Sequence, residues 1–182
     1  MSEIDQFSVY LLEQAKRFLE KAQDTSDEDG RTAFVNASLL IGVSALEAHV
    51  NAIADELLET WKELEVLERS ILSEREFSLD NGEFELVQKL KMYRLIDRVE
   101  FIFRRFGKRR PLDKHEKWWS QLSDALKLRN ELVHPKQRIT LSVKNVENSL
   151  RGILEAINAL YLSLYDSPYP GYRRALDSNL SF

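Results

Sequence analysis

The stretch Leu128-Arg129-Asn130-Glu131-Leu132-Val133-His134-Pro135 sets an arginine and a histidine five positions apart at the polar end of an otherwise apolar helix. Leu122, Ala125, Leu126, Leu132 and Val133 recur at three- and four-residue spacing, the pattern of a helix with one buried face, and Arg129 falls on or beside that face. Five helical steps amount to roughly 500°, which leaves Arg129 and His134 about 140° apart on a regular helix. Pro135 disfavours helical geometry at the residue before it, so the helix is expected to end at His134, where its last turn can bring the imidazole toward the guanidinium. A fixed cation beside a group that titrates near neutral pH suits a phosphodiester: Arg129 holds phosphate oxygens and His134 moves a proton. The same two residues also fit a plainer role, as a cation complementing a helix C-terminus and a boundary histidine.

The rest of the chain reads as scaffold. Ile4, Phe7, Leu11, Ala15, Phe18, Leu19 and Ala22 step along one face of a first helix, leaving Glu13, Lys16, Arg17 and Glu20 for solvent. After the polar run from Asp24 to Gly30, Thr32 is a plausible N-cap for a longer, central helix reaching about Trp61, in which Gly42, Ser44, Ala45, Ala48 and Ala52 allow close approach of neighbours. Glu47 and His49 lie inside this apolar segment. A buried carboxylate there needs a partner, and Arg129 is an economical one; otherwise Glu47 occupies a wet stripe. His49 reads as structural.

A short amphipathic helix is expected within 61–77, then a turn at Asp80-Asn81-Gly82, then a helix from about Glu83 to Phe106 closed by Gly107 and Pro111. Its last turns and the following loop carry the clearest basic cluster, Arg104, Arg105, Lys108, Arg109 and Arg110, with Arg98 and Arg94 two and three turns earlier. Such charge can hold a sugar-phosphate backbone or can merely complement the helix macrodipole. Phe103 and Phe106 are read as core. Asp113 can cap the helix that carries the opening stretch, and adjacent Trp118 and Trp119 point in different directions on it. Lys136 to Thr140 can form one edge of a cleft beside His134. Val143, Val146, Leu150, Ile153, Leu154, Ile157, Leu160, Tyr161 and Leu164 give a last and very regular apolar stripe.

These elements predict an all-α fold, an up-and-down bundle of about five long helices forming one domain over residues 1–166, followed by an irregular tail over 167–182 that docks on a partner or on the domain. With 182 residues, 43 % hydrophobic, 31 % charged, six glycines and four prolines, the chain suits one domain with a sizeable core. The absence of cysteine excludes disulfides and thiolate chemistry. No signal-peptide pattern opens the chain and no apolar run is read as long enough to span a bilayer, so a cytoplasmic protein is expected. A net charge of −4 argues against a surface that coats nucleic acid generally but leaves room for a local basic site. His49, His115 and His134 lack metal-ligand spacing, and there is no glycine-rich phosphate loop or nucleophile elbow, so no metal and no cofactor are expected.

The run from Arg129 to Pro135 resembles the Arg-(four to six residues)-His signature of HEPN domains, including the polar residue directly after the arginine, and the resemblance covers roughly residues 30 to 166. It implies an all-α bundle, usually dimeric, and often a metal-independent endoribonuclease of toxin–antitoxin, abortive-infection or CRISPR systems. On that resemblance the RNA's own 2′-hydroxyl attacks the adjacent phosphate, leaving a 2′,3′-cyclic phosphate and a 5′-hydroxyl. His134 acts as general base or acid, Arg129 stabilises charge on the phosphorane, and Asn130 bonds the phosphate or orients the histidine. Glu47 supports Arg129, and Arg105, Lys108, Arg109 and Arg110 hold the RNA. One histidine cannot easily serve attacking and leaving oxygens together, so a homodimer with two Arg/His pairs in one cleft is implied, with an antitoxin or other defence-system protein as a further partner. The competing expectation is a non-catalytic helical module of the same kind that binds nucleic acid, nucleotide or a partner protein.

Overall fold

The computed structural model describes residues 3–108 and 110–182, and it is mostly helical. The helices are α1 (Glu3–Asp24), α2 (Glu28–Thr60), α3 (Val66–Ser73), α4 (Leu95–Phe106), α5 (Lys117–Val133) and α6 (Val143–Tyr165), with two strands, β1 (Arg75–Asp80) and β2 (Glu83–Leu90), between α3 and α4.

The central helix is α2. It starts earlier than Thr32: Asp27 is the cap, its Oδ2 accepting the Gly30 amide at 2.6 Å. Leu39, Val43, Ala45, Leu46 and Val50 are fully buried, and Gly42 is glycine for a packing reason, since a Cβ there would lie 2.4 Å from Leu150 Cδ2 on α6. By length and composition α2 is apolar enough to cross a membrane, which corrects the expectation that no such run exists. Apolar residues on most sides mark either a core helix or a span, and here 56 % of its most apolar window is buried within the bundle. Helices α5 and α6 also meet closely, for a Cβ on Gly152 would stand 2.7 Å from Gln121 Cβ and from the Leu122 amide nitrogen.

Between Glu83 and Leu90 the expected helix is instead a strand, and β1 and β2 form an antiparallel hairpin pairing Leu79 with Phe84 and Phe77 with Leu86. Phe84, Val87 and Leu90 have helical spacing, but Phe77, Leu79, Phe84 and Leu86 alternate with polar residues about Asn81-Gly82, whose φ values of 50° and 90° are those of a tight hairpin turn. Leu79 and Phe84 remain exposed at the tip. The short helix expected over 61–77 shrinks to α3, because β1 takes Arg75 onward. The hairpin is anchored by Ser70, whose hydroxyl donates to the Arg75 carbonyl and bonds Tyr93 Oη at 2.8 Å.

The tail docks on the domain itself. Glu13 and Lys16, expected in solvent, are 2 % and 0 % exposed. Glu13 accepts from Lys16 Nζ at 3.0 Å and Arg174 Nη2 at 2.7 Å through Oε1, and from the Asn179 amide at 2.8 Å through Oε2. Burial raises the Glu13 pKa, but these donors outweigh it and hold the carboxyl below its ordinary value. Tyr169 fills the space between His49 and Tyr161, its ring centroid 5.2 and 5.3 Å from theirs.

Candidate functional site

Helix α5 ends where Pro135 requires. Its cap residue His134 has left helical geometry (φ −123°, ψ 62°) while its amide still donates to the Asn130 carbonyl at 2.9 Å. The start differs from expectation: Glu116 is the N-cap residue, and Asp113 instead accepts the His115 amide at 2.8 Å. Trp118 packs inside at 7 % exposure, and Trp119 is half-buried beside it.

Arg129 Nη1 donates to Asn130 Oδ1 at 3.0 Å, and Nη2 stands 3.9 Å from Glu47 Oε2. The Arg129 and Glu47 side chains are about a third exposed, so Glu47 faces Arg129 across a wet groove and not inside the core. His134 is exposed at the lip of a hollow of about 740 Å³ that Asn130, Glu131, Lys127, Lys136 and Arg94 line over an apolar floor of Ile96, Leu126 and Ile139. Arg129 opens instead onto an adjoining hollow of about 280 Å³ with Glu47, Glu74, Tyr93 and Arg98. The two hollows share Arg94, Ile96, Leu126 and Asn130. Asn130 is therefore the link between Arg129 and His134, as the wide angle between those positions on a helix dictates. Gln137 and Ile139 after the proline line the larger hollow, so the connection does form one wall.

The buried arginine of this region is Arg98, 2 % exposed. Its Nη1 lies 3.0 Å from Glu74 Oε2 and donates to Asn51 Oδ1 at 2.7 Å, and its Nη2 donates to the Leu72 carbonyl at 3.0 Å. Burial lowers the Arg98 pKa, opposed by the carboxylates of Glu74, Glu47 and Asp55. In the sequence it looked like one more member of the basic cluster; its position beside Val99 and Ile102 on the apolar face was the available signal.

That cluster lies at the other end of α4. Arg94 precedes the first residue of the helix and Arg105 is eleven positions on, about 16 Å at 1.5 Å per residue. There Arg105 pairs with Glu68, holding that carboxyl below its ordinary pKa, and sits 5.8 Å from the Trp61 ring. Lys108 stands 4.7 Å over the same ring, and Arg104 binds Glu100 at 2.7 Å. Arg110 is exposed, its carbonyl accepting from Ser163 Oγ, and Arg109 lies outside the described residues. None of the described members of the expected RNA-binding set lines either hollow at the end of α5. The cations of the larger hollow, Arg94, Lys127 and Lys136, are scattered in sequence and meet only because the fold brings the start of α4 to the end of α5.

His49 is 1 % exposed, and its Nδ1 lies 3.1 Å from Ser8 Oγ. Burial depresses its pKa to about 4, so it is a neutral core residue. Among the described residues no group of three or more histidines and carboxylates is close enough to hold a metal ion. The chain matches no family model, no curated protein and no solved structure.

Proposed function

We propose that the protein is a HEPN-like, metal-independent endoribonuclease whose reacting residues are Arg129, Asn130 and His134. The observation that carries this reading is the exposed His134 at the lip of a cation-lined hollow, joined through Asn130 to an Arg129 about a third exposed. An arginine whose acidic neighbour is 3.9 Å away retains donors for a phosphate, and Asn130 keeps its amide NH₂ while its carbonyl receives Arg129. His134 accepts the 2′-hydroxyl proton or delivers one to the 5′-oxygen, and Arg129 neutralises the phosphorane. Since each chain offers one such histidine, the reading includes a homodimer whose two-fold axis brings two pairs into one cleft. Exposed Val133 beside His134 and exposed Met92 near the smaller hollow give that axis apolar material to cover. A role in phage defence or as the toxin of a toxin–antitoxin pair follows from the family resemblance.

The test is cleavage of a mixed single-stranded RNA in EDTA, comparing wild type with His134→Ala and examining the product ends for cyclic phosphate. Cleavage by wild type alone, with cyclic ends, supports the reading; equal behaviour of the two proteins refutes it. The second reading, a non-catalytic module binding nucleic acid, nucleotide or a partner protein, is favoured by the opening of Arg129 and His134 onto different hollows, and it predicts RNA binding or partner capture without product.

A further inference from the structure

We infer that Arg94, Lys127 and Lys136 form the binding track for the phosphates of a single-stranded RNA that crosses the ridge between the two hollows. This rests on the ribonuclease reading for its biological sense, but the surface itself stands on geometry. Arg94 and Asn130 line both hollows, as Ile96 and Leu126 do, so a chain reaching from the Arg129 side to the His134 side runs beside them. The Arg94 side chain is 79 % exposed, and its acidic neighbour Asp97 is 3.7 Å away and itself 57 % exposed, a contact that a phosphate displaces at little cost. Lys127 and Lys136 are exposed on the same hollow, and among the described residues neither is ion-paired. The cations at the far end of α4 differ: Arg104 and Arg105 are held by Glu100 and Glu68, and Lys108 lies on the Trp61 ring. Arg94 also precedes the N-terminus of α4, where no side chain caps the helix and the dipole adds to its charge.

The strand must be single because the floor between these cations is apolar. Ile96, Leu126 and Ile139 can receive the face of an unstacked base, which a duplex keeps inside. Charge and floor together thus select a flexible polyanion with exposed bases.

The experiment measures binding of the full chain to a labelled single-stranded RNA carrying 2′-O-methyl groups throughout, which block cleavage, as a function of salt. The Arg94→Gln/Lys127→Gln/Lys136→Gln variant is compared with Arg105→Gln/Lys108→Gln, with circular dichroism as the fold control. Each lost phosphate contact lowers the single-strand salt slope by about 0.7, so the triple variant is expected to lose a slope of about 2 and to bind about 100-fold more weakly near 0.1 M salt. The far-end pair is expected to stay within about twofold, and a duplex of the same sequence to bind more weakly than the single strand. An unchanged triple variant, a loss borne by the Arg105/Lys108 pair, equal binding of duplex, or no binding by wild type overturns the inference. Binding through the track without cleavage of unmodified RNA refutes the ribonuclease reading and leaves the track standing; cleavage by wild type with an unaffected triple variant does the reverse.

Discussion

Replacing Arg129 by alanine separates a chemical arginine from a structural one. Its acidic partner is 3.9 Å away, and the two side chains are 31 % and 35 % exposed. Exposed pairs contribute ~0.2–1 kcal/mol, whereas breaking a buried pair costs ~3–5 kcal/mol. Alanine is also the better helix former, which offsets part of the loss. The variant is therefore expected to lose no more than about 1 kcal/mol of stability, or at most about 4 °C in Tm for a domain of this size. Removing a donor that stabilises charge in the transition state costs about 10²–10³ in kcat. Denaturant melts followed by circular dichroism, run beside the EDTA cleavage assay with analysis of product ends, read both quantities. A loss of ~3 kcal/mol or more would make Arg129 a fold residue. Near-wild-type cleavage by a folded variant would remove it from the chemistry.

Arg98→Ala, by contrast, empties a buried site, leaves the Asn51 Oδ1 and Leu72 carbonyl acceptors without their donor and takes the cation from a mostly covered Glu74. It is expected to cost ~3–5 kcal/mol, seen as a lower urea midpoint; a loss below ~1 kcal/mol would sink the assignment of Arg98 as the structural arginine. Stability should fall on acidification, because His49 titrates near 6.5 when unfolded and near 4 when folded, so only the unfolded chain gains a proton in that window. Its contribution, present in full above pH 6.5, declines by about 2 kcal/mol at pH 5 and about 3 kcal/mol below pH 4, and His49→Gln should flatten that part of the stability–pH curve. Glu13, whose folded pKa is depressed, adds a loss that begins below its unfolded value and completes as pH falls through the folded one. Gly152→Ala forces apart the α5–α6 contact and is expected to cost ~1–3 kcal/mol in a thermal or denaturant melt; an unchanged midpoint would show that the helices yield freely there.

Much of the helical frame was legible. The periodic faces of α2 and α6 appear where their apolar residues repeat, and Phe103 and Phe106 are core. On α1 the buried side is turned toward Ser8, Leu12 and Lys16 and leaves Phe7 exposed, and on α5 Val133 is exposed while Leu122 and Ala125 are buried. The hairpin is hidden because Phe84, Val87 and Leu90 satisfy a helical three-residue spacing while Phe77, Leu79, Phe84 and Leu86 satisfy an alternating one; Asn81-Gly82 is the local signal that decides for two paired strands. The burial of Glu13 and Lys16 is not legible locally because Arg174, the partner of Glu13, lies 161 residues away, and Lys16 is buried through its own bond to Glu13.

At the candidate site, the sequence by itself determined that α5 ends at His134, since Pro135 acts on its immediate neighbour through steric contact alone. It likewise determined the composition of the Arg129-Asn130-His134 run and the angle that separates its ends. Only the tertiary structure decided that Arg98 is buried while Arg129 stays at a wet groove, and that Arg94, Lys127 and Lys136, not the denser cluster after Phe103, surround the histidine. Backbone geometry follows from neighbours along the chain, but burial and electrostatic partnership depend on which distant segments the packing of α4 against the bundle brings together.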